Sequence, residues 1–280
     1  MKIAYQGLAG AYSHIAAKRY FGNKNDFIPV QDFSDLFLKL ADGDVDFAML
    51  PVENSLAGSV IQNLDLLFKQ DAWITGEIYL EIDHCLLGLP QTNFENITEV
   101  YSHDKALQQC QNFFLSNPQI HKISYSNTAA SAQMVANSKR LDLAAIASSE
   151  AAQIYNLQVL QENIQDDAHN WTRFVAITAR NKINPVFDNV SKCSLAYTLP
   201  KDVPGSLHKS LQPFSENNIN LSNIESRPIP GKFFEYIFYV DFEFDPKNAG
   251  AVQIALSELG KLTKTLKILG VYQKQAKFVK

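Results

Sequence analysis

The chain has 280 residues, room for one to three domains, and 46% of them are hydrophobic, enough for a sizeable core. Its 25 Lys and Arg against 29 Asp and Glu leave a net charge of −4 with no block of like charge, which argues against a nucleic-acid groove or a polybasic membrane surface. Cys85, Cys110 and Cys193 stand far apart with no CxxC pair, no apolar run reaches the ~18 residues of a membrane span, and MKIAYQGLAG lacks a secretory h-region, so a cytoplasmic protein with reduced, buried thiols is expected.

Residues 2 to 6 (KIAYQ) read as a first strand, ending at the loop Gly7-Leu8-Ala9-Gly10. Ser13 is a candidate cap for a helix to Phe21, and residues 26 to 31 form a second strand. Ser34 is the expected cap of a helix with Leu36, Phe37 and Leu40 on one face. DFAMLPV (Asp46 to Val52) is a third strand, followed by Glu53-Asn54-Ser55 and a helix from about Ser59 to Lys69. Strands alternating with helices favour a layered α/β sheet.

Trp73 to Gly88 reads as one long extended stretch and Thr98 to Ser102 as a short strand. One helix is expected to carry Ala106, Leu107, Cys110 and Phe113/Phe114, with Cys110 in the core. Then come a strand at Lys122 to Ser126, a helix at Thr128 to Ser138, a buried strand LAAIA (Leu143 to Ala147) and a helix from Ser148 to Tyr155. Polar residues recur at the strand ends: Gln6, Glu53-Asn54-Ser55, Ser102-His103, Ser126-Asn127-Thr128 and Ser148-Ser149. Open α/β sheets bind ligands at the carboxyl ends of strands, where helix N-termini offer amides to anions, so the first ~180 residues read as an anion-binding α/β unit.

HNWTRFVAI (His169 to Ile177) sets Asn170, Thr172 and Arg173 at the mouth of a strand that Phe174 anchors in the core. Residues 181 to 191 are polar and read as a linker. Beyond it come a strand (Cys193 to Leu199) and a helix opening at Pro204-Gly205-Ser206 with Leu207, Leu211 and Phe214 on one face. Next are an extended segment (Leu221 to Ile229), a turn at Pro230-Gly231, a strand (Phe233 to Phe244), a helix (about Asn248 to Thr263) and a last strand (Leu266 to Tyr272). That order is the ferredoxin-like βαββαβ unit. The aromatic run Phe233 to Phe244 is either sheet interior or a dimer surface. No HExxH or Cys/His cluster has metal spacing, and the Gly7 to Gly10 loop is not GxGxxG, so neither a metal nor another cofactor is expected.

Five stretches, in order, resemble one family. QGLAGAYSH (Gln6 to His14), PVENSLAGSV (Pro51 to Val60), YSHDKALQQC (Tyr101 to Cys110) and NWTRF (Asn170 to Phe174) resemble the motifs of prephenate dehydratase. IESRP (Ile224 to Pro228), after Pro204-Gly205-Ser206-Leu207, resembles the phenylalanine-binding pair of an ACT regulatory domain. Leu8 and Ala9 depart from the family's usual opening loop, Ser206 stands where ACT loops have alanine, and Ser126 stands where some members carry glutamate.

The resemblance implies a two-lobed catalytic domain over 1–182, like periplasmic binding proteins, with lobe A at about 1–76 and 164–182 and lobe B at about 77–163. An ACT domain at 192–274 would follow, in the monofunctional form without a chorismate mutase segment. The implied activity is the decarboxylative dehydration of prephenate to phenylpyruvate in L-phenylalanine biosynthesis, inhibited by L-phenylalanine, in a homodimer or homotetramer. Thr172, Arg173, Asn54, Ser55, Glu53, Ser102 and Gln109 are the implied catalytic set; Asn170, Phe174, Thr128, Ser13 and Gly7 would hold substrate. Gly205, Ser206, Leu207, Asn220, Leu221, Glu225 and Ser226 would bind phenylalanine. Plainer readings stand beside these: Ser13, Ser55, Ser102 and Thr128 as helix caps, His14 and His103 as structural residues, and Arg173 as half of an ion pair. Arogenate dehydratase and a non-catalytic amino acid sensor are the alternatives.

Overall fold

The computed structural model describes residues 1–183, 187, 189–201, 203–229, 231, 232 and 235–275. Parts of the expected linker (184–186 and 188), Pro230 of the turn, and 233 and 234 at the start of the aromatic strand lie outside the described residues. The molecule is mixed α/β with two sheets. Contacts divide it into two units: Met1–Val60 with Ile78–Phe174, and Ile61–Glu77 with the described residues from Val175 on.

The first unit begins with β1 (Lys2–Gln6), α1 (Tyr12–Phe21), β2 (Asp26–Val30), α2 (Phe33–Ala41), β3 (Phe47–Asn54) and the two-residue β4 (Gly58–Ser59). β1 pairs in parallel with both β2 and β3, Ala4 lying opposite Ile28 and Ala48. Ile3, Ala4 and Tyr5 are all buried, as in a central parallel strand covered on both faces. The caps differ from expectation. α1 begins at Tyr12 after Ala11, so Ser13 lies inside its first turn. α2 is capped by Asp32 rather than Ser34, because Asp32 and Asp35 form a reciprocal capping box. The helix after the third strand also starts later than expected: residues 58–59 fold back on β3, and α3 (Ile61–Lys69) follows in the second unit.

The expected extended stretch 73–88 is two strands, β5 (Ala72–Glu81) and β6 (Cys85–Gly88), broken at Ile82-Asp83-His84. Then come β7 (Glu99–Ser102), α4 (Asp104–Gln108), α5 (Gln111–Ser116), β8 (His121–Ser124), α6 (Thr128–Ser138), β9 (Leu143–Ala147), α7 (Ser149–Tyr155) and β10 (Gln158–Gln161), a strand the sequence reading missed. Strands β10-β6-β9-β7-β8 make a five-stranded sheet with β9 buried at its centre. The single helix expected around Cys110 is two, α4 and α5, separated at Gln109-Cys110; Cys110 is fully buried. β11 (Trp171–Ala179) is buried at every position, and the chain passes through it from the first unit to the second at 174/175.

The second unit continues with β12 (Lys192–Thr198), α8 (Ser206–Glu216), β13 (Asn220–Pro228), β14 (Tyr236–Glu243), α9 (Ala249–Leu262) and β15 (Thr265–Tyr272). The strand–helix–strand–strand–helix–strand order is as expected, and the sheet order is β13-β14-β12-β15. β14 lies inside this sheet, which makes its aromatic side chains interior: Phe238 and Phe242 join Tyr197, Phe214, Val252 and Leu259 in one apolar core. Gly270 of β15 faces Ile74 of β5, and a Cβ there would strike the Ile74 carbonyl. Charged pairs tie the unit. Lys192 Nζ meets both Glu77 oxygens at 2.8 and 3.1 Å with both side chains buried. Arg227 grips Asp65 through Nε and Nη2, and Tyr239 donates to the same carboxylate at 3.1 Å. Lys267 Nζ caps the end of α3 by donating to the carbonyls of Leu67, Phe68 and Gln70.

Candidate active site

The site grows from the end of β3. Asn54, its last residue, turns its side chain onto the chain that follows: Oδ1 accepts the N–H groups of Leu56 at 3.1 Å and Ala57 at 2.8 Å. These two amides are thereby committed to Asn54, and the turn leads into β4 and not directly into a helix. Since backbone N–H groups only donate, the Asn54 oxygen and nitrogen are fixed. Nδ2 donates to Asn170 Oδ1 at 2.7 Å, to Thr172 Oγ1 at 3.0 Å and to the Trp171 carbonyl at 3.2 Å.

Thr172 therefore accepts, and its own proton remains to be donated; among the described residues it has no acceptor. The threonine is 9% exposed, so that proton lies in a largely dry place. Asn170, fully buried, passes the same polarity on: its Nδ2 donates to Gln109 Oε1 at 3.2 Å. Gln109 sits where α4 breaks before α5, and its backbone carbonyl accepts the Asp166 N–H at 2.7 Å, which holds the break against the loop before Asn170. Its side-chain nitrogen has no acceptor among the described residues.

Ser55 is a brace. Its hydroxyl donates to the His169 carbonyl and accepts the Trp171 N–H, both at 2.9 Å, while its own N–H donates to the Trp171 carbonyl at 2.8 Å. Arg173 is 6% exposed and has Glu53 at 3.8 Å, a loose ion pair with the carboxylate partly in solvent. Phe174 is buried behind them. Ser102 is neither cap nor free donor: His103 caps α4, and the Ser102 hydroxyl donates to the Ile146 carbonyl at 2.7 Å, tying β7 to β9. Thr128 is the first residue of α6, whose cap is Asn127; the hydroxyls of Thr128 and Ser13 have no partner among the described residues. Gly7 needs its positive φ of 100° to turn β1 into the loop before α1. That loop is clamped from α7: Ser148 donates to the Gly10 carbonyl and Tyr155 to that of Ala9. His14 accepts the Gly10 N–H and packs on Tyr5 and Phe27.

Two residues that the sequence reading did not single out complete the network. His84, 2% exposed, meets Gln109 Oε1 through Nε2 at 3.0 Å and the Tyr12 hydroxyl through Nδ1 at 3.0 Å. Tyr12 also donates to the Asp83 carbonyl at 2.7 Å. Burial lowers the basicity of His84, against smaller opposing effects of the Gln109 contact and the Asp83 charge. Burial likewise pushes the Tyr12 hydroxyl well above its ordinary pKa and Cys110 up to about 12. The only sequence signal was Asp83-His84 interrupting an apolar run. In the second unit, Gly205 (φ 85°) precedes α8, Ser206 Oγ accepts the Val203 N–H, and Leu207 is 38% exposed. Asn220, Leu221, Glu225 and Ser226 lie on β13, the edge strand, with Leu221 against the core.

Among the described residues there is no cluster of side chains suited to a metal and no helix long and apolar enough to cross a membrane. The amides of Asn54, Asn170 and Gln109 hold one orientation beside Thr172, and Arg173 follows it as a buried cation facing Glu53. The family model for prephenate dehydratase matches residues 3–182. The chain is 42% identical to the Arabidopsis thaliana protein named arogenate dehydratase/prephenate dehydratase 1, chloroplastic, over 97% of this chain and 72% of that one. The crystal structure of prephenate dehydratase in complex with L-Phe from Arthrobacter aurescens has a TM-score of 0.87 and 27% identity, covering 100% of this chain and 93% of that one. A structure described as GqqA, a novel type of quorum quenching acylase, has a TM-score of 0.87 and 30% identity, covering 98% of both. This chain belongs to the prephenate dehydratase family, whose reaction is that of a lyase.

Proposed function

We propose that the chain converts prephenate to phenylpyruvate with Thr172 as the donor to the departing oxygen. As the carboxylate leaves as carbon dioxide, its bonding electrons enter the ring and expel the ring hydroxyl, which takes a proton and departs as water. The observation that carries this reading is the Asn54 Nδ2 to Thr172 Oγ1 hydrogen bond, which forces Thr172 to accept and frees its proton. A threonine is a weak acid, so the donor works only if aimed in a site that excludes water. Asn170 and Ser55 hold the strand mouth, Arg173 with Glu53 fixes its far side, and Phe174 anchors it. Gln109, Thr128, Ser13 and the Gly7 turn offer donors to the two carboxylates, while Ser102 supports the sheet beneath.

The domain reading adds a two-lobed, periplasmic-binding-protein-like arrangement of residues 1–182 and an ACT domain at 192–274 that binds L-phenylalanine and lowers turnover. Support comes from the strand order of the second unit and from the L-Phe complex of the Arthrobacter aurescens relative. Gly205, Ser206 and Leu207 before and in α8, with Asn220, Leu221, Glu225 and Ser226 on the edge strand, are the residues proposed for that ligand, in a homodimer or homotetramer.

The test is phenylpyruvate formation by the purified chain, with and without millimolar L-phenylalanine, beside Thr172→Ala. Loss of one aimed donor lowers kcat by roughly 10²–10³. A Thr172→Ala protein that keeps its rate would remove Thr172 from this role, and a phenylalanine-insensitive wild type would remove the effector. The dual name of the Arabidopsis relative favours arogenate as a second substrate, decided by turnover of both side by side. Acyl transfer fits the site poorly: Ser55 is doubly bonded to backbone, and Thr172 has an amide rather than a base beside it.

A further inference from the structure

The buried network around Gln109 has a direction, set at one end by backbone. The Leu56 and Ala57 N–H groups fix Asn54. Asn54 fixes Asn170, whose Oδ1 must accept, and Asn170 then donates to Gln109 Oε1. That same oxygen faces His84 Nε2 at 3.0 Å. Two acceptors at that distance repel, so His84 must carry its proton on Nε2. Nδ1 then accepts from Tyr12, whose single proton is shared with the Asp83 carbonyl. The opposite tautomer would turn a lone pair onto Gln109. Rotating the Gln109 amide to relieve this would set its NH₂ against the Asn170 NH₂, and Asn170 cannot follow because Asn54 is pinned. It would also replace the free donor of Gln109 by an acceptor.

We propose that His84 is a positioning residue for the anionic substrate: with its proton on Nε2, it holds Gln109 so that the amide nitrogen is left to a substrate carboxylate. The proposal rests on the reading of Gln109 as a substrate contact. Thr172 is oriented from the other end, by Asn54, and does not depend on His84. His84 therefore acts on binding and Thr172 on the chemical step.

The groups around His84 agree. Tyr12 of α1 keeps its proton because burial opposes ionisation. Cys85 of β6 and Cys110 before α5 are pushed up by burial and stay neutral thiols. The charged neighbours are Asp83 beside it, Asp166 across Gln109 and, further off, Glu150 of α7. Protonation of His84 would keep the Nε2–H in place, so the Gln109 contact survives acidification.

The experiment compares the full-length wild type with His84→Met, which fills the space without a donor, and His84→Gln, whose amide nitrogen reaches the Nε2 position. His84→Met should raise KM for prephenate about tenfold, the scale of one misplaced hydrogen bond to a charged group, with kcat within about twofold of wild type. His84→Gln should restore most of the affinity. A loss confined to kcat, or equal losses in folded Met and Gln variants, would overturn the proposal. Nitrogen-15 NMR of uniformly labelled wild-type protein reads the tautomer directly, with the His84 ring signal assigned through its own backbone. A proton on Nδ1 alone would overturn the proposal even if neither variant folds. Failure of wild-type protein to turn over prephenate would instead remove the proposed function, while the tautomer measurement stands.

Discussion

The two units solve the same problem, buried polar side chains, in opposite ways. Around Thr172 the first unit uses neutral amides, Asn54, Asn170 and Gln109, each oriented by the one before it, and leaves protons unspent at the end. The second unit also uses full charges, each set against a partner: Lys192 on Glu77, Arg227 and Tyr239 on Asp65, Lys267 on the carbonyls ending α3. Neutral relays give direction without adding a charge of their own. Ion pairs give locking without direction. A site needs the first and a scaffold the second.

The contrast breaks most visibly in the second unit. Lys192→Met leaves Glu77 buried without its cation and should cost ~3–5 kcal/mol in a denaturant titration, whereas the double change with Glu77→Leu should recover most of it. A double variant as unstable as the single would show that the pair is not self-contained. In the first unit, Asn54→Asp keeps the bonds from Leu56 and Ala57 but turns an oxygen toward Asn170 Oδ1 and Thr172. Thr172 must then donate to that carboxylate, and kcat should fall by roughly 10²-fold, with a lower melting temperature as well because the new oxygen also faces the Trp171 carbonyl. An unchanged kcat in folded Asn54→Asp protein would make Asn54 part of the scaffold after all.

The smallest effect is a pH slope. His14, His84 and His103 are all lowered from 6.5, chiefly by burial. The unfolded chain thus takes up protons before the folded one does. Stability should begin to fall as pH drops through about 6.5 and level off once the folded imidazoles protonate, a few degrees of melting temperature in all. His84→Gln should flatten part of that slope; an unchanged slope would exclude His84 as a contributor.

The elements legible in the sequence are those whose pattern and chemistry agree. Thr128–Ser138 and Leu143–Ala147 follow from an apolar face and a buried run, and the second unit's element order follows from its turn residues. The break at Gln109-Cys110 was hidden, because Ala106, Leu107, Cys110, Phe113 and Phe114 keep helical spacing across it. Ser13 and Ser34 look like caps, yet a cap is decided by which acceptor reaches the free N–H groups, and Asp32 does so at α2. In the site, the Thr172 motif pointed to a donor, but its orientation depends on Leu56 and Ala57 amides, which carry no side-chain signature. His84 was missed because its partners, Tyr12 and Gln109, are 72 and 25 positions away.

The brace at Ser55 also governs how the protein ages. Asn-Ser is a sequence prone to deamidation, in which the following backbone nitrogen attacks the asparagine amide to form a cyclic imide. At Asn54 that nitrogen is held on the Trp171 carbonyl at 2.8 Å, and the amide is fixed at both its atoms. The folded site is thereby shielded from a reaction that would turn its relay into an acid. Peptide mapping of stored protein should find Asn54 intact while the fold holds and converted once the β3–β4 turn opens, so that inactivation outlasts refolding.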